Sequence, residues 1–216
     1  MTTVERARAD SGAQDDTGAA AVERTATASR RTNETDVTVT LSIDGSGEAT
    51  ISTSIGFFDH LLESFAHHGL FDLEVEARGD IHVDEHHTVE DVALVLGSAF
   101  SEGLGDRSGL RRFGDASVPM DESLATAVVD AGGRPYAVVD LPFRGERVGE
   151  LPVQLIEHAI EAFARTSGAT IHVTGKGRND HHLAEAAFKA LARAMREACE
   201  RDPRRTGIAS TKGPVE

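Results

Sequence analysis

The sequence predicts an α+β fold made by internal duplication, two similar half-domains each pairing a sheet with helices on one face. Three observations lead there. Segments alternating apolar and polar residues are interleaved with segments of helical spacing. The second half of the chain retraces the order of the first. And "FDHLLESFAHHG" (58–69) parallels "IEHAIEAFARTSG" (156–168), so that His60 matches His158, Glu63 matches Glu161, Phe65 matches Phe163 and Ala66 matches Ala164. Two copies fall short of a solenoid, which needs at least about three. They suit two halves packed about a local two-fold around one core.

Residues 1 to about 28 are rich in Ala, Thr, Asp and Gly without an apolar period, and are expected to be a disordered or loosely attached leader. Regular structure is expected from near Arg30. Val37, Val39, Leu41 and Ile43 alternate as a half-buried strand; "DGSG" then turns the chain, with Ala49, Ile51 and Thr53 as the expected hairpin partner. Phe58, Leu61, Leu62 and Phe65 have helical spacing and stop at Gly69. Phe71, Leu73, Val75 and Ala77 form another strand, and Val89, Ala93, Leu96, Phe100 and Leu104 another helix. In the second half, 124–129 and 136–139 read as strands, Ile156, Ile160 and Phe163 as a helix stopped near Gly168, and Ile171 and Val173 as a strand. Leu183, Ala187, Leu191, Ala194 and Ala198 mark a last helix ending before Pro203. The expected organisation is one domain over 29–213, with repeats at about 30–118 and 119–205 and a tail from 206 to 216.

Composition narrows the function. The 216 residues are 39% hydrophobic and 27% charged, with a net charge of −14. A duplex nucleic acid partner is not expected, because phosphate binding needs a basic face. No apolar run could span a bilayer and no hydrophobic signal segment opens the chain, so no membrane association and a cytoplasmic location are expected. A lone cysteine, Cys199, allows neither an internal disulfide nor a thiolate cage, and reads as a plain buried or half-buried thiol.

The chemistry is concentrated in "DEHHTVED" (84–91) and "NDHHLAEA" (179–186), where His86, His87 and Glu90 correspond to His181, His182 and Glu185. Residues three or four apart share a helix face, so each Glu can converge with a His. Adjacent residues diverge by roughly 100° on a helix, so His86 and His87 are placed to serve two ions rather than one, as are His181 and His182. Adding His60 and His158 gives eight candidate ligands, which divide into two sites of three His and one Glu. Such nitrogen and carboxylate sets suit first-row divalent ions with open positions, as in a catalytic site. An isolated His-His pair would be ordinary helix-start polarity; the repetition, each copy preceded by a helical His, favours metal. His67, His68, His82 and His172 lack this correspondence. Spacing alone makes His68 a surface residue and His82 and His172 ordinary strand residues.

Longer motifs carry a resemblance. "FFDHLLESFAHHGLFDL", "DEHHTVEDVALVLG", "RRFGDASVPMDE", "GRPY", "DHHLAEAAFKALARAM" and "STKG", spanning roughly residues 30–213, are similar to the imidazoleglycerol-phosphate dehydratase family in its single-activity form. The resemblance implies a four-stranded mixed sheet with helices on one face in each half, ribosomal protein S5 domain 2-like. It further implies a homo-24-mer with active sites between subunits, two manganese ions per site, and loss of water from imidazole glycerol phosphate to give imidazole acetol phosphate, by way of a diazafulvene-like species and an enol. The metal ligands it implies are His60, His86, His87, Glu90, His158, His181, His182 and Glu185, and several of these, His60, His86, His87 and Glu90, also border the substrate. Glu34, in "RRTNETDV", matches a glutamate that contacts substrate in the family and is expected to transfer the proton; by itself it reads as a routine residue before a strand. His68, Arg112, Arg134, Lys189, Ser210 and Lys212 match the substrate- and phosphate-binding positions. Two rival readings stand beside this one. A two-metal hydrolase would lean on bridging carboxylates where this chain offers histidines; a metal store or metal-stabilised scaffold would bind ions without turnover.

Overall fold

The computed structural model describes residues 23–211. Its first half holds β1 (Thr25–Arg31), β2 (Thr35–Ser42), β3 (Ala49–Ser52), α1 (Gly56–Gly69), β4 (Asp72–Gly79) and α2 (His86–Leu104). Its second half holds β5 (Phe113–Met120), β6 (Ser123–Asp130), β7 (Tyr136–Asp140), a short hairpin of β8 (Arg147–Val148) and β9 (Leu151–Pro152), α3 (Val153–Ser167), β10 (Thr170–Lys176) and α4 (Asp180–Cys199). The two principal sheets have one topology. The first runs β1-β2-β4-β3 and the second β5-β6-β10-β7, in each case with the last-formed strand inserted beside the second and the third strand on the edge in parallel. Both halves are therefore four-stranded mixed sheets with two helices, as the duplicated motifs require.

Alternation explains which face is buried. On β2, Val37, Val39 and Leu41 lie opposite Ala77, Val75 and Leu73 of β4, all buried, whereas Asp36, Thr38, Thr40, Glu74 and Glu76 point outward. Helices α1 and α2 cover the inner face of the first sheet and α3 and α4 that of the second; the helix layers then meet, α2 on α3 and α1 on α4. The repeat-related Phe65 and Phe163 touch at 5.9 Å edge to face, and Phe100 packs on both. The two halves share one core because each helix pair has apolar sides facing both its own sheet and the other half.

Gly97 on α2 lets α3 approach. A methyl group there would lie 2.6 Å from the Phe163 carbonyl oxygen and 2.8 Å from the Ser167 nitrogen. Both are backbone atoms that cannot rotate away, and the Thr166 hydroxyl already donates across the same contact to the Leu94 carbonyl at 2.7 Å. Gly97→Ala is therefore expected to destabilise the chain by about 3 kcal/mol, the upper end for overpacking, read as a lower denaturant midpoint at unchanged slope.

Several sequence expectations need correction. Regular structure starts at Thr25, inside the expected leader, and Arg24 is anchored by its guanidinium on Asp44 and on the Cys199 carbonyl; residues 1–22 lie outside the described residues. Strands β1 and β5 escaped the periodicity because they are edge strands whose inward residues are mostly small or only half-buried, with Ala28 and Gly114 their only buried residues. The expected hairpin of 49–53 with β2 does not form. Strand β3 pairs in parallel with β4, and the "DGSG" loop is tied to it by the Asp72 carboxylate, which accepts backbone N–H groups of Ser46, Gly47 and Glu48. The left-handed residue ending α1 is Leu70 (φ 56°), not Gly69, which is small because the Phe71 ring packs over it. His82 sits in the turn between β4 and α2, whereas His172 is on β10.

Candidate functional site

The ligand-bearing helices begin where polar side chains take up free backbone donors. Asp84 accepts from the His86 N–H at 2.7 Å and Asn179 from the His181 N–H at 3.0 Å, fixing the first turns of α2 and α4. The α1 start has no cap of its own and borrows the Glu150 carboxylate, which accepts the Phe57 N–H at 3.3 Å. The same β8–β9 segment presents Arg147 to Glu85 and the Arg144 and Gly145 N–H groups to Asp180. The hairpin and the loop leading into it thus brace three helix starts, a role without a sequence signal beyond their charged residues.

Six of the eight predicted ligands fall into two groups, each mixing the halves. His60 of α1 meets His181 and Glu185 of α4; His86 and Glu90 of α2 meet His158 of α3. In each group the ligand atoms lie within 4.8 Å of one another. In the first, Nε2 of His60 (3.2 Å) and Nε2 of His181 (2.8 Å) converge on one oxygen of Glu185. In the second, Nε2 of His158 is buried, 3.4 Å from Glu90, and has no hydrogen-bond partner, while its ring stacks on His86 at 4.8 Å. Imidazole nitrogens crowding one carboxylate, one of them unpartnered, are a donor set suited to a divalent cation. The other lysine-side oxygen of Glu185 takes Lys189 at 2.7 Å. Burial opposes ionisation of Glu185, but hydrogen bonds from Lys189, His60 and His181 outweigh it and hold the carboxyl down at about 2.

That depression has a consequence for the metal-free chain. The folded carboxyl titrates near 2 and the unfolded one near 4.5, so its stabilisation is whole above pH 4.5 and is lost as pH falls towards 2. Glu185→Gln is expected to flatten the dependence of the unfolding midpoint on pH across that interval.

His87 and His182 do not enter these groups, so one chain supplies two His and one Glu to each, against the three His and one Glu expected. The divergence of adjacent helical side chains is the reason. His87 Nδ1 lies 3.2 Å from both oxygens of Asp80, which raises its pKa, and 3.8 Å from Glu34. His182 Nδ1 lies 3.0 Å from Glu122. The bond to His182 holds the Glu122 carboxyl at about 2, against its partial burial and with help from the Arg178 and Asn179 N–H groups. Asp80 and Glu122 were not singled out from the sequence; an acidic residue just before a strand, as Glu34 is, was the available signal for Glu122.

The remaining predicted residues divide between two clefts. His68 and Lys189 line a shallow one of about 360 Å³ with His60 and Glu185; burial lowers the His68 pKa, and Lys189 and His67 lower it further. Arg112, Arg134 and Ser210 line a larger cleft of about 880 Å³ together with Arg107 and Thr211, and none of the eight ligands lines it. Arg112 forms a two-pronged pair with Asp130 (2.7 and 2.9 Å) and also grips the Ala209 carbonyl, tethering the tail to the cleft. Lys212 lies outside the described residues. Cys199 is buried, its thiol pushed up to about 12 by burial, and is an inert core residue.

Duplicated α+β halves that bring imidazoles and carboxylates of both copies into two clusters, with a basic cleft apart from them, define a protein able to hold divalent cations. A family model of imidazoleglycerol-phosphate dehydratase matches residues 53–195. The Gluconacetobacter diazotrophicus protein of that name is 54% identical over 192 residues, 88% of this chain and 97% of the relative. The one from Methanothermobacter thermautotrophicus is 55% identical over 186 residues, 86% of this chain and 95% of the relative. A solved Pyrococcus furiosus structure of the enzyme in complex with (S)-C348 superposes with a TM-score of 0.75 at 36% identity, covering 87% of this chain and 99% of that one. The chain belongs to the imidazoleglycerol-phosphate dehydratase family. It is accordingly a hydro-lyase of histidine biosynthesis. No helix among the described residues is long and apolar enough to cross a membrane.

Proposed function

We propose that the chain converts imidazole glycerol phosphate to imidazole acetol phosphate and water with two manganese ions per site, in the cytoplasm. The observation that carries this is the pair of three-ligand groups, His60–His181–Glu185 and His86–Glu90–His158, each offering two imidazole nitrogens and a carboxylate to one point. Both are one His short of the expected set, and His87 and His182 are turned away from them within the chain. The fourth ligand of each ion is then His87 or His182 of another copy, and the site lies between subunits of a closed assembly, the homo-24-mer. The separation of the arginine cleft from the ligand groups supports the same arrangement, because substrate must reach both its ring site and its phosphate site.

The bound cations would supply Lewis acidity toward the imidazole ring. The chain's own groups do the rest. Glu34, 53% exposed and 3.8 Å from His87, takes the proton from the second carbon out from the ring, which keeps its own hydroxyl. The C–O bond next to the ring breaks and its oxygen leaves as water; the resulting enol becomes the ketone by proton return to carbon. Arg112, Arg134, Lys189, Ser210 and Lys212 hold the phosphate with charge-assisted bonds, and His68 borders the substrate beside His60. Manganese-loaded protein is expected to form the ketone from imidazole glycerol phosphate without releasing inorganic phosphate. Phosphate release would favour the hydrolase, and metal binding with neither product the store or scaffold.

A further inference from the structure

The carboxylates beside His87 and His182 are related by the duplication, and their roles have been exchanged. Thr35 opens β2 and Ser123 opens β6, both buried, so Glu34 and Glu122 are equivalent positions. Thr35 pairs with Gly79; extending the β6–β10 register sets Ser123 beside Gly177, where an added Cβ would strike Ser123. Asp80 is thereby equivalent to Arg178. An arginine carries only donors and cannot accept from a ring N–H. In the second half the glutamate therefore reaches His182, at 3.0 Å. In the first half Asp80 takes His87 with both oxygens, and Glu34 stays at 3.8 Å, beyond hydrogen-bond range.

We propose that Glu122 and Asp80 are positioning residues: each accepts the Nδ1–H of its histidine and so presents Nε2 of His182 or His87 as a ready metal ligand, and Asp80, by substituting for Glu34, leaves the Glu34 carboxylate free for the substrate. This rests on the reading that His87 and His182 ligate ions held by other copies. A carboxylate behind a ligand imidazole fixes its tautomer and orientation, and loss of such a partner typically costs about 10–100-fold in metal affinity.

Glu122 allows a test that keeps shape. Its Oε1 accepts the Arg178 N–H (3.2 Å), the Asn179 N–H (2.9 Å) and the Ser123 hydroxyl (3.1 Å), while Oε2 faces His182. In Glu122→Gln the amide oxygen must remain toward those donors, so the amide NH₂ points at His182 Nδ1. The ring must then accept at Nδ1 and carry its proton on Nε2, where it blocks metal. Magic-angle-spinning ¹⁵N spectra of ¹⁵N-histidine-labelled, metal-free protein should show one ring change from the Nδ1–H to the Nε2–H form. Titration with manganese chloride should show one class of site weakened about 10–100-fold. Asp80→Ala should weaken the other class similarly. An unchanged tautomer, or isotherms like wild type for both variants, would overturn the proposal. Failure of the wild-type protein to form the ketone, with the ring and isotherm responding as stated, would instead count against the proposed reaction and leave the positioning roles standing.

Discussion

Glu34→Gln is expected to lower turnover by about 10²–10⁴-fold, the usual worth of a general base, while metal content and assembly stay as in wild type. Glu34 neither joins a ligand group nor hydrogen-bonds a ligand ring, and its carboxylate is half exposed beside His87. Its position before β2 puts it close to His87 on a backbone fixed by the Asp80 N–H, which donates to the Glu34 carbonyl at 3.1 Å. The amide is nearly isosteric and cannot accept a proton from carbon. Metal content by elemental analysis, mass by light scattering and ketone formation together separate the outcomes. Retained turnover removes Glu34 from the mechanism, and lost metal makes it a ligand-shell residue instead.

Chelation of the metal is expected to break the assembly into smaller species, and manganese to restore it. In the proposed arrangement the fourth ligand of each two-His-one-Glu group is a histidine of another copy, so each ion would link copies and ligation energy would also be association energy. Sedimentation before and after exhaustive chelation measures this; an assembly that stays whole without metal would mean that apolar subunit contacts hold it alone. Glu90→Gln should act in the same direction at half of the links, since Glu90 belongs to one group only.

Much of this was legible beforehand. Periodicity found the three apolar strands and two helices of each half, because residues such as Val37, Val39 and Leu41 face the core with a period of two. It missed β1 and β5, edge strands in which a single residue each, Ala28 and Gly114, is fully buried. The hairpin error at 49–53 had a different origin: local turn chemistry favours the adjacent partner, whereas β4 inserts between β2 and β3, with Leu73, Val75 and Ala77 buried on the face it shares with β2.

By itself, the sequence determined the duplication, the eight imidazole and carboxylate candidates and the divergence of each His-His pair, since all of these follow from local spacing on a helix. Only the tertiary structure decided that each cluster draws on both halves, that His87 and His182 are held back by Asp80 and Glu122, and that the arginine cleft stands apart from the ligands. Apart from His87 and Asp80, seven positions apart, these are contacts between residues dozens of positions apart. No periodicity encodes them; they arise when α1 packs on α4 and α2 on α3 to bury the apolar sides left open by each half alone.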